Sequence, residues 1–273
     1  MVEEKAYAKL NLTLNVLGEK NGYHMLKSVM VPITLYDIIR FEKNDKGIME
    51  VIGENIKNNS ILQAALLFQS IFKTPGATIY YQKKIPMEAG MGGGSSDSSA
   101  TLRGLNRLFE LNLPLAKLKP LADTLGSDNS FLLYNQTAIC EGKGEKLTFL
   151  NYSFAYNVLL IKPNFGLSTK EVFKKITSCE EKDLTLFLKA LGNNDYQLLE
   201  DSMFNDLLNP ALAIEPRLNA VIKKISEYQV KVFMTGSGST LFVINEDIEK
   251  LKAIRKEFPT FFTAICQIKN TLS

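Results

Sequence analysis

Tryptophan is absent from this chain, histidine occurs once, at His24, and cysteine three times, at Cys140, Cys179 and Cys266. An odd number of widely spaced cysteines without metal-ligand spacing argues against a disulfide framework and against a cysteine metal site. It predicts free, mostly buried thiols in a reduced setting. No apolar run reaches the length of a membrane span. The opening residues Met-Val-Glu-Glu-Lys are charged and lead into alternation, where a signal sequence would need an apolar core. These absences predict a cytoplasmic, unprocessed chain with no membrane partner. Charge of one sign is lacking too: 32 basic against 29 acidic residues leave +3, and the basic residues are scattered. That is too little to imply nucleic acid.

What is present is ordinary in bulk and unusual in one place. The 273 residues are 45% hydrophobic and 22% charged, enough for one large or two ordinary domains with real cores. Between Ile85 and Leu102, however, four glycines fall within five positions, Gly90, Gly92, Gly93 and Gly94, followed by Ser95 and Ser96. Glycine lets the backbone turn through positive φ and approach a ligand closely. Leu102, Leu105, Leu108 and Phe109 then recur at helical spacing, so Ser95 or Ser96 is predicted to cap a helix. Free N–H groups at a helix start, with the positive end of its dipole behind them, favour phosphate. The pattern is not a P-loop, for no Gly-Lys-Ser/Thr follows. Nor is it a dinucleotide fingerprint, since Ser95 stands where the last glycine would be.

Other segments fall around this loop. Ala6 to Leu17 alternates, with Leu10, Leu12, Leu14 and Val16 on one side and Lys9, Asn11, Thr13 and Asn15 on the other, and predicts a strand with a polar face. Lys27 to Ile33 and Ile38 to Glu42 read as strands with Asp37 at the turn between them. Asn58 to Phe72 reads as a helix capped by Asn59 or Ser60, and Ala77 to Tyr81 as a strand. Leu115 to Leu125 reads as a helix that Pro120 breaks or restarts, ending at Gly126. Ile139 to Lys146 predicts a hairpin, Asn157 to Lys162 a strand, and Leu167 to Phe173 the start of a helix. Ser202 to Leu208 and Ile214 to Tyr228 are expected to be helical. Val230 to Phe233 and Leu241 to Val243 should be strands joined by the turn Met234-Thr235-Gly236-Ser237-Gly238-Ser239-Thr240.

Pro86-Met87-Glu88-Ala89-Gly90-Met91-Gly92-Gly93-Gly94-Ser95-Ser96-Asp97 resembles the phosphate loop of the GHMP kinases, the superfamily of galactokinase, homoserine kinase, mevalonate kinase and phosphomevalonate kinase. The double serine is its mark. The resemblance runs from residue 6 to about 245 and implies an α+β, two-domain GHMP kinase fold. A ribosomal protein S5 domain 2-like, ATP-binding domain would span 1–152 and a ferredoxin-like domain 153–273. It implies ATP with Mg2+, with Pro86 through Ser96 at the phosphates and Asn59 near the adenine.

Ala8-Lys9-Leu10-Asn11 resembles the family's Ala-Lys-Ile-Asn strand, whose lysine points into the active site, which implies that Asn11 meets the substrate. Ser127-Asp128-Asn129-Ser130-Phe131 resembles Ala-Asp-Val-Pro-Phe, whose aspartate is the catalytic base. Here Ser127 replaces alanine and Asn129-Ser130 replace Val-Pro. Gly22-Tyr23-His24 resembles the branch that acts on a cytidyl diphosphate sugar alcohol, where the tyrosine stacks on the cytosine and the histidine hydrogen-bonds to it. Phe173, in a Ser-Thr-x-x-x-Phe match, would sandwich the base from the other side. Magnesium ligands are not marked by any acidic cluster. Glu88 stands where the family carries a small residue; either it points away from the phosphates or it weakens ATP binding. The implied partner is a small molecule, and the chain is expected to be a monomer or homodimer. Another GHMP small-molecule kinase with a different alcohol, and a nucleotide-binding module without catalysis, remain alternatives at this point.

Overall fold

The computed structural model describes residues 1–53, 59–152, 156–177 and 179–269. Its elements run β1 (Val2–Asn11), β2 (Thr13–Lys20), β3 (Tyr23–Asn44), β4 (Met49–Ile52), α1 (Ser60–Phe72), β5 (Gly76–Gln82), α2 (Gly93–Leu108), α3 (Leu115–Leu125) and α4 (Asn129–Tyr134). They continue with β6 (Ala138–Gly142), β7 (Lys146–Phe149), β8 (Asn157–Lys162), α5 (Thr169–Phe173), α6 (Thr185–Asn193), α7 (Tyr196–Ser202) and β9 (Phe204–Asn205). Last come α8 (Leu208–Ile214), α9 (Arg217–Ser226), β10 (Phe233–Met234), β11 (Leu241–Asn245), α10 (Ile248–Lys256) and β12 (Phe262–Gln267). The chain forms two compact units made of interleaved segments: 1–8, 35–87 and 92–135 in the first, 9–34, 88–91 and 136–273 in the second.

In the first unit the later half of β3 pairs antiparallel with β5, Ile38 opposite Gln82 through Asn44 opposite Gly76, and β4 adds a parallel edge. α1 turns Ile61, Ala64, Ala65 and Phe68 inward, the spacing of a helix with one apolar face. They share a core with Phe41, Ile79, Leu102, Leu105 and Leu118. In the second unit β2 pairs with the earlier half of β3, which pairs with β6, and β6 with β7; β9 lies parallel to β2. A separate antiparallel sheet has the order β10-β11-β8-β12. Val158 through Ile161 on β8 are wholly buried, as expected of an inner strand covered on both faces. Leu218, Val221, Leu251 and Ile254 from α9 and α10 share a core with Leu159 and Ile161.

Several expectations need correction. Lys27 to Ile33 and Ile38 to Glu42 are parts of one strand, β3, with no turn at Asp37. Asp37 is fully buried there, accepting from Lys83 Nζ and from the backbone N–H of Lys84 and Ile85. An aspartate read locally signals a turn, but these partners, more than forty residues away, satisfy it inside a strand. Neither Ser95 nor Ser96 caps α2: the cap is Gly92 at φ 70, a left-handed position that glycine takes without penalty. α3 runs through Pro120 unbroken, with Leu118, Leu121 and Ala122 buried around it, so packing outweighs the one lost backbone bond. Ser202 to Leu208 is not a helix; it contains β9, fixed by Asn205 Nδ2 donating to the carbonyls of Met234 and Gly236. Ala6 to Leu17 divides into β1 and β2 at Leu12, whose N–H bonds to Val29 O. The last helix expected is shorter, Arg217–Ser226. Asn58, where α1 was expected to begin, lies outside the described residues; Asn59 caps α1 by accepting from Ile61 and Leu62 N–H. The polar face of the first strands is not solvated: Lys9, Asn11, Thr13 and Asn15 are all buried.

Gly104 on α2 lies directly on Phe41, and a Cβ there would overlap the ring. Gly→Ala inside a helix ordinarily gains roughly 0.5–1 kcal/mol, but forcing a methyl into a filled core costs about 1–3 kcal/mol. Gly104→Ala should therefore lower the thermal midpoint, and a raised midpoint in a calorimetric scan would contradict this packing.

Candidate functional site

The buried polar face of β1 and β2 is where the second unit gathers its unusual residues. Lys9 is 4% exposed and places Nζ 2.6 Å from Asn11 Oδ1. The same Asn11 oxygen accepts the N–H of Gly236 at 3.0 Å, and Asn11 Nδ2 donates to Ser28 Oγ at 2.8 Å. Asn11 N–H donates to Thr235 Oγ1 at 3.2 Å. Alternation explains the direction: in a strand, residues two apart share a face, so Lys9 and Asn11 point the same way. A buried ammonium is costly unless it has acceptors, and the Asn11 carboxamide supplies one.

Lys9 also meets the glycine loop through its backbone, donating its N–H to Met91 O at 3.1 Å. Gly90, at φ 69, is pressed against the turn at Thr235 to Gly238; a Cβ on Gly90 would collide with the Thr235 carbonyl. A Cβ on Gly236 would lie 2.9 Å from Gly90 O and 3.4 Å from Lys9 Nζ. Lys9, Asn11, Gly90, Met91 and the glycine turn after β10 are thus one packed group. Ala89 and Met91 are buried, while Met87 is 70% exposed and Pro86 half-buried.

Glu88 takes a left-handed conformation, φ 49, and aims its carboxylate at the backbone after β8. A Cβ on Gly166 would stand 2.5 Å from Glu88 Oε2. The Lys162 ammonium, bound to the carbonyls of Pro163 and Phe165 at 2.8 Å each, is the cation there. Burial lowers its pKa, and the Glu88 charge opposes that shift.

In the first unit α2 begins at Gly93 with no side-chain cap and no acidic residue in its first turn. Ser96 N–H bonds back to Gly92 O at 2.8 Å and Ser96 Oγ to Tyr7 O at 2.7 Å. The N–H groups of Gly93, Gly94 and Ser95 have no acceptor within the helix, as at any α-helix start. Ser60 Oγ at the head of α1 would lie 3.6 Å from a Cβ on Gly94. Asp128 occupies the position just before α4, yet its side chain makes no capping hydrogen bond. Lys9 belongs to the second unit and Asp128 to the first.

Further along the second unit, His24 and Phe173 stack on each other, centroids 4.4 Å apart and planes 19° from parallel. Tyr23 is 55% exposed with the Lys143 ammonium 4.4 Å from its ring centroid. Lys143, Ser28 and Thr235 were not among the expected site residues. Ser28 and Lys143 carry no local signal, and only the pairings of β3 with β2 and β6 bring them there. Among the described residues no group of three or more His, Cys, Asp or Glu could hold a metal, and no helix is long and apolar enough to cross a membrane.

Comparison with known proteins bears on this arrangement. The family model described as GHMP kinases N terminal domain matches residues 59–142, and that described as GHMP kinases C terminal matches 187–264. The chain belongs to the GHMP kinase family. A relative from Clostridium tetani named 4-diphosphocytidyl-2-C-methyl-D-erythritol kinase is 39% identical over 249 residues, covering 87% of this chain and 89% of its own. A crystal structure of a 4-(cytidine 5'-diphospho)-2C-methyl-D-erythritol kinase superposes with TM-score 0.84 at 27% identity, over 98% of this chain and 100% of that one. Homoserine kinase from Cytophaga hutchinsonii, at 16% identity and TM-score 0.73 over 98% of this chain and 94% of its own, shares the fold. The architecture is thus the two-domain, mixed helix and strand fold of these kinases.

The Glu88 geometry yields a direct test. Its carboxylate faces Gly166, so Glu88→Ala should leave the Michaelis constant for ATP unchanged in steady-state assays; a lowered constant would mean that the carboxylate repels the nucleotide.

Proposed function

We propose that this chain transfers the γ-phosphoryl group of ATP to the 2-hydroxyl of 4-diphosphocytidyl-2-C-methyl-D-erythritol, giving the 2-phosphate and ADP, a cytoplasmic step of non-mevalonate isoprenoid precursor synthesis. The observation that carries the reading is the buried Lys9 ammonium, fixed by Asn11 against the glycine loop, in a chain 39% identical to a relative named for that kinase. In this reading residues 1–152 bind ATP and residues 153–273 form the C-terminal domain.

Phosphoryl transfer asks a protein mainly to position and to offset charge. The loop from Pro86 to Ser96 holds the triphosphate, with the N–H groups opening α2 as donors. Asn59 stands near the adenine at the head of α1. Asp128 accepts the proton of the substrate hydroxyl, a general-base role worth about 10²–10⁴-fold. Lys9 steadies charge on the acceptor oxygen. Asn11 orients Lys9 and meets the substrate. The cytosine stacks on Tyr23, whose ring is largely exposed, with His24 and Phe173 as the other aromatic walls. Magnesium bound with ATP would supply charge neutralisation at the phosphates; no protein ligand is assigned to it.

Asp128→Asn should lower kcat with this substrate by about 10²–10⁴-fold while ATP still binds. Unchanged turnover would leave only a nucleotide-binding module. Tyr23→Ala should raise the Michaelis constant for the cytidyl substrate but not for ATP; an unaltered constant would point to another alcohol.

A further inference from the structure

Under the start of α2 lies a charge cluster that the reaction above does not use. Lys83 places Nζ 2.5 Å from Asp37 Oδ2 and 2.6 Å from Asp97 Oδ2. Asp37 is fully buried and Asp97 is 4% exposed. The second oxygen of Asp37 accepts the N–H of Lys84 and Ile85 at 2.5 and 2.9 Å. The second oxygen of Asp97, Oδ1, is buried with no hydrogen-bond partner. Two carboxylates therefore share one ammonium, leaving a formal negative charge in a nearly dry place.

The charge does not fall evenly. Asp37 has its ammonium and two backbone donors, whereas Asp97 has the ammonium alone. Burial pushes the Asp97 carboxyl up to about 7, against the pull of Lys83, and the Asp37 charge adds to the rise. Burial alone would depress the Lys83 ammonium, but Asp97 and Asp37 outweigh it and raise its pKa. Among the described residues, α1 comes to this end of α2 with Ser60, and the first turn of α2 has no acidic residue. The cluster adjoins the loop, since Lys83 Nζ would be 3.6 Å from a Cβ on Gly93, and Asp97 follows Gly93 by about one helical turn.

We propose that Asp97 takes up a proton from solvent as ATP binds, so that the triphosphate arriving at the first turn of α2 meets a neutral cluster in place of an anionic one. Lys83 and Asp37 remain paired, and the proton goes to Asp97 Oδ1, the carboxyl oxygen without a hydrogen-bond partner. A polyanion nearby disfavours a second negative charge, and this carboxylate has the fewest donors to hold it ionised. The inference rests on the reading that the ATP phosphates lie on the glycine loop.

Calorimetric titration of the full chain with MgATP at pH 8, in buffers of different ionisation enthalpy, measures the proton directly. The observed heat should change with buffer in the sense of uptake. ATP affinity should fall as pH rises above 7, by at most tenfold per pH unit for one proton. Asp97→Asn should bind ATP with no buffer dependence and a flat profile. Lys83→Gln, with the ammonium gone, leaves Asp97 protonated before ATP arrives and should also lose the uptake. ATP binding with no uptake in the wild-type chain, or with equal uptake in Asp97→Asn, overturns the inference and leaves the kinase reading standing. Absence of ATP binding in the wild-type chain overturns both.

Discussion

The burial of the Lys9 ammonium is the constraint that most of the second unit answers to. An uncompensated charge in a protein interior is expensive enough that its neighbours must be arranged around it. Asn11 does this with a single carboxamide: one oxygen takes the ammonium and the N–H of Gly236, while the nitrogen ties back to Ser28. Through these bonds the first strand, the third and the glycine turn after β10 become one object. The glycine loop is drawn into it by Lys9 N–H to Met91 O and by the tight seat of Gly90. Substitution at Asn11 would thus disturb several backbone segments at once.

Three buried or partly buried lysines among the described residues are held in three different ways. Lys9 donates from its ammonium to the neutral Asn11 carboxamide. Lys83 is enclosed by two carboxylates and carries no net positive field. Lys162 is held by backbone carbonyls with Glu88 as its distant counter-charge.

Much of this was readable from residue order wherever the signal is local. The glycine run, the Asn59 cap, the helix face of α1 and strand β8 follow from short-range spacing, and each stands close to where the pattern put it. Misreadings arose where a distant partner overrode a local habit. Asp37 looks like a turn residue until Lys83 is placed beside it, and Pro120 looks like a break until its neighbours are buried. Gly92 outcompeted the serines because the backbone there is left-handed, which spacing alone does not reveal. Ser28 and Thr235 became part of the Lys9 setting only through strand pairing and a contact 224 positions apart in the chain.

Because the compact units are interleaved, the path of the chain passes between them five times, after residues 8, 34, 87, 91 and 135. There is no hinge peptide whose removal would release an intact half. During synthesis Lys9 emerges long before Thr235 and Gly236, and at ribosomal rates of about 5–20 residues per second that delay is roughly 11 to 45 s. For that interval the side chains of Lys9 and Asn11 find their hydrogen-bond partners in water, and the apolar Leu10, Leu12, Leu14 and Val16 of the same strands have no completed core to enter.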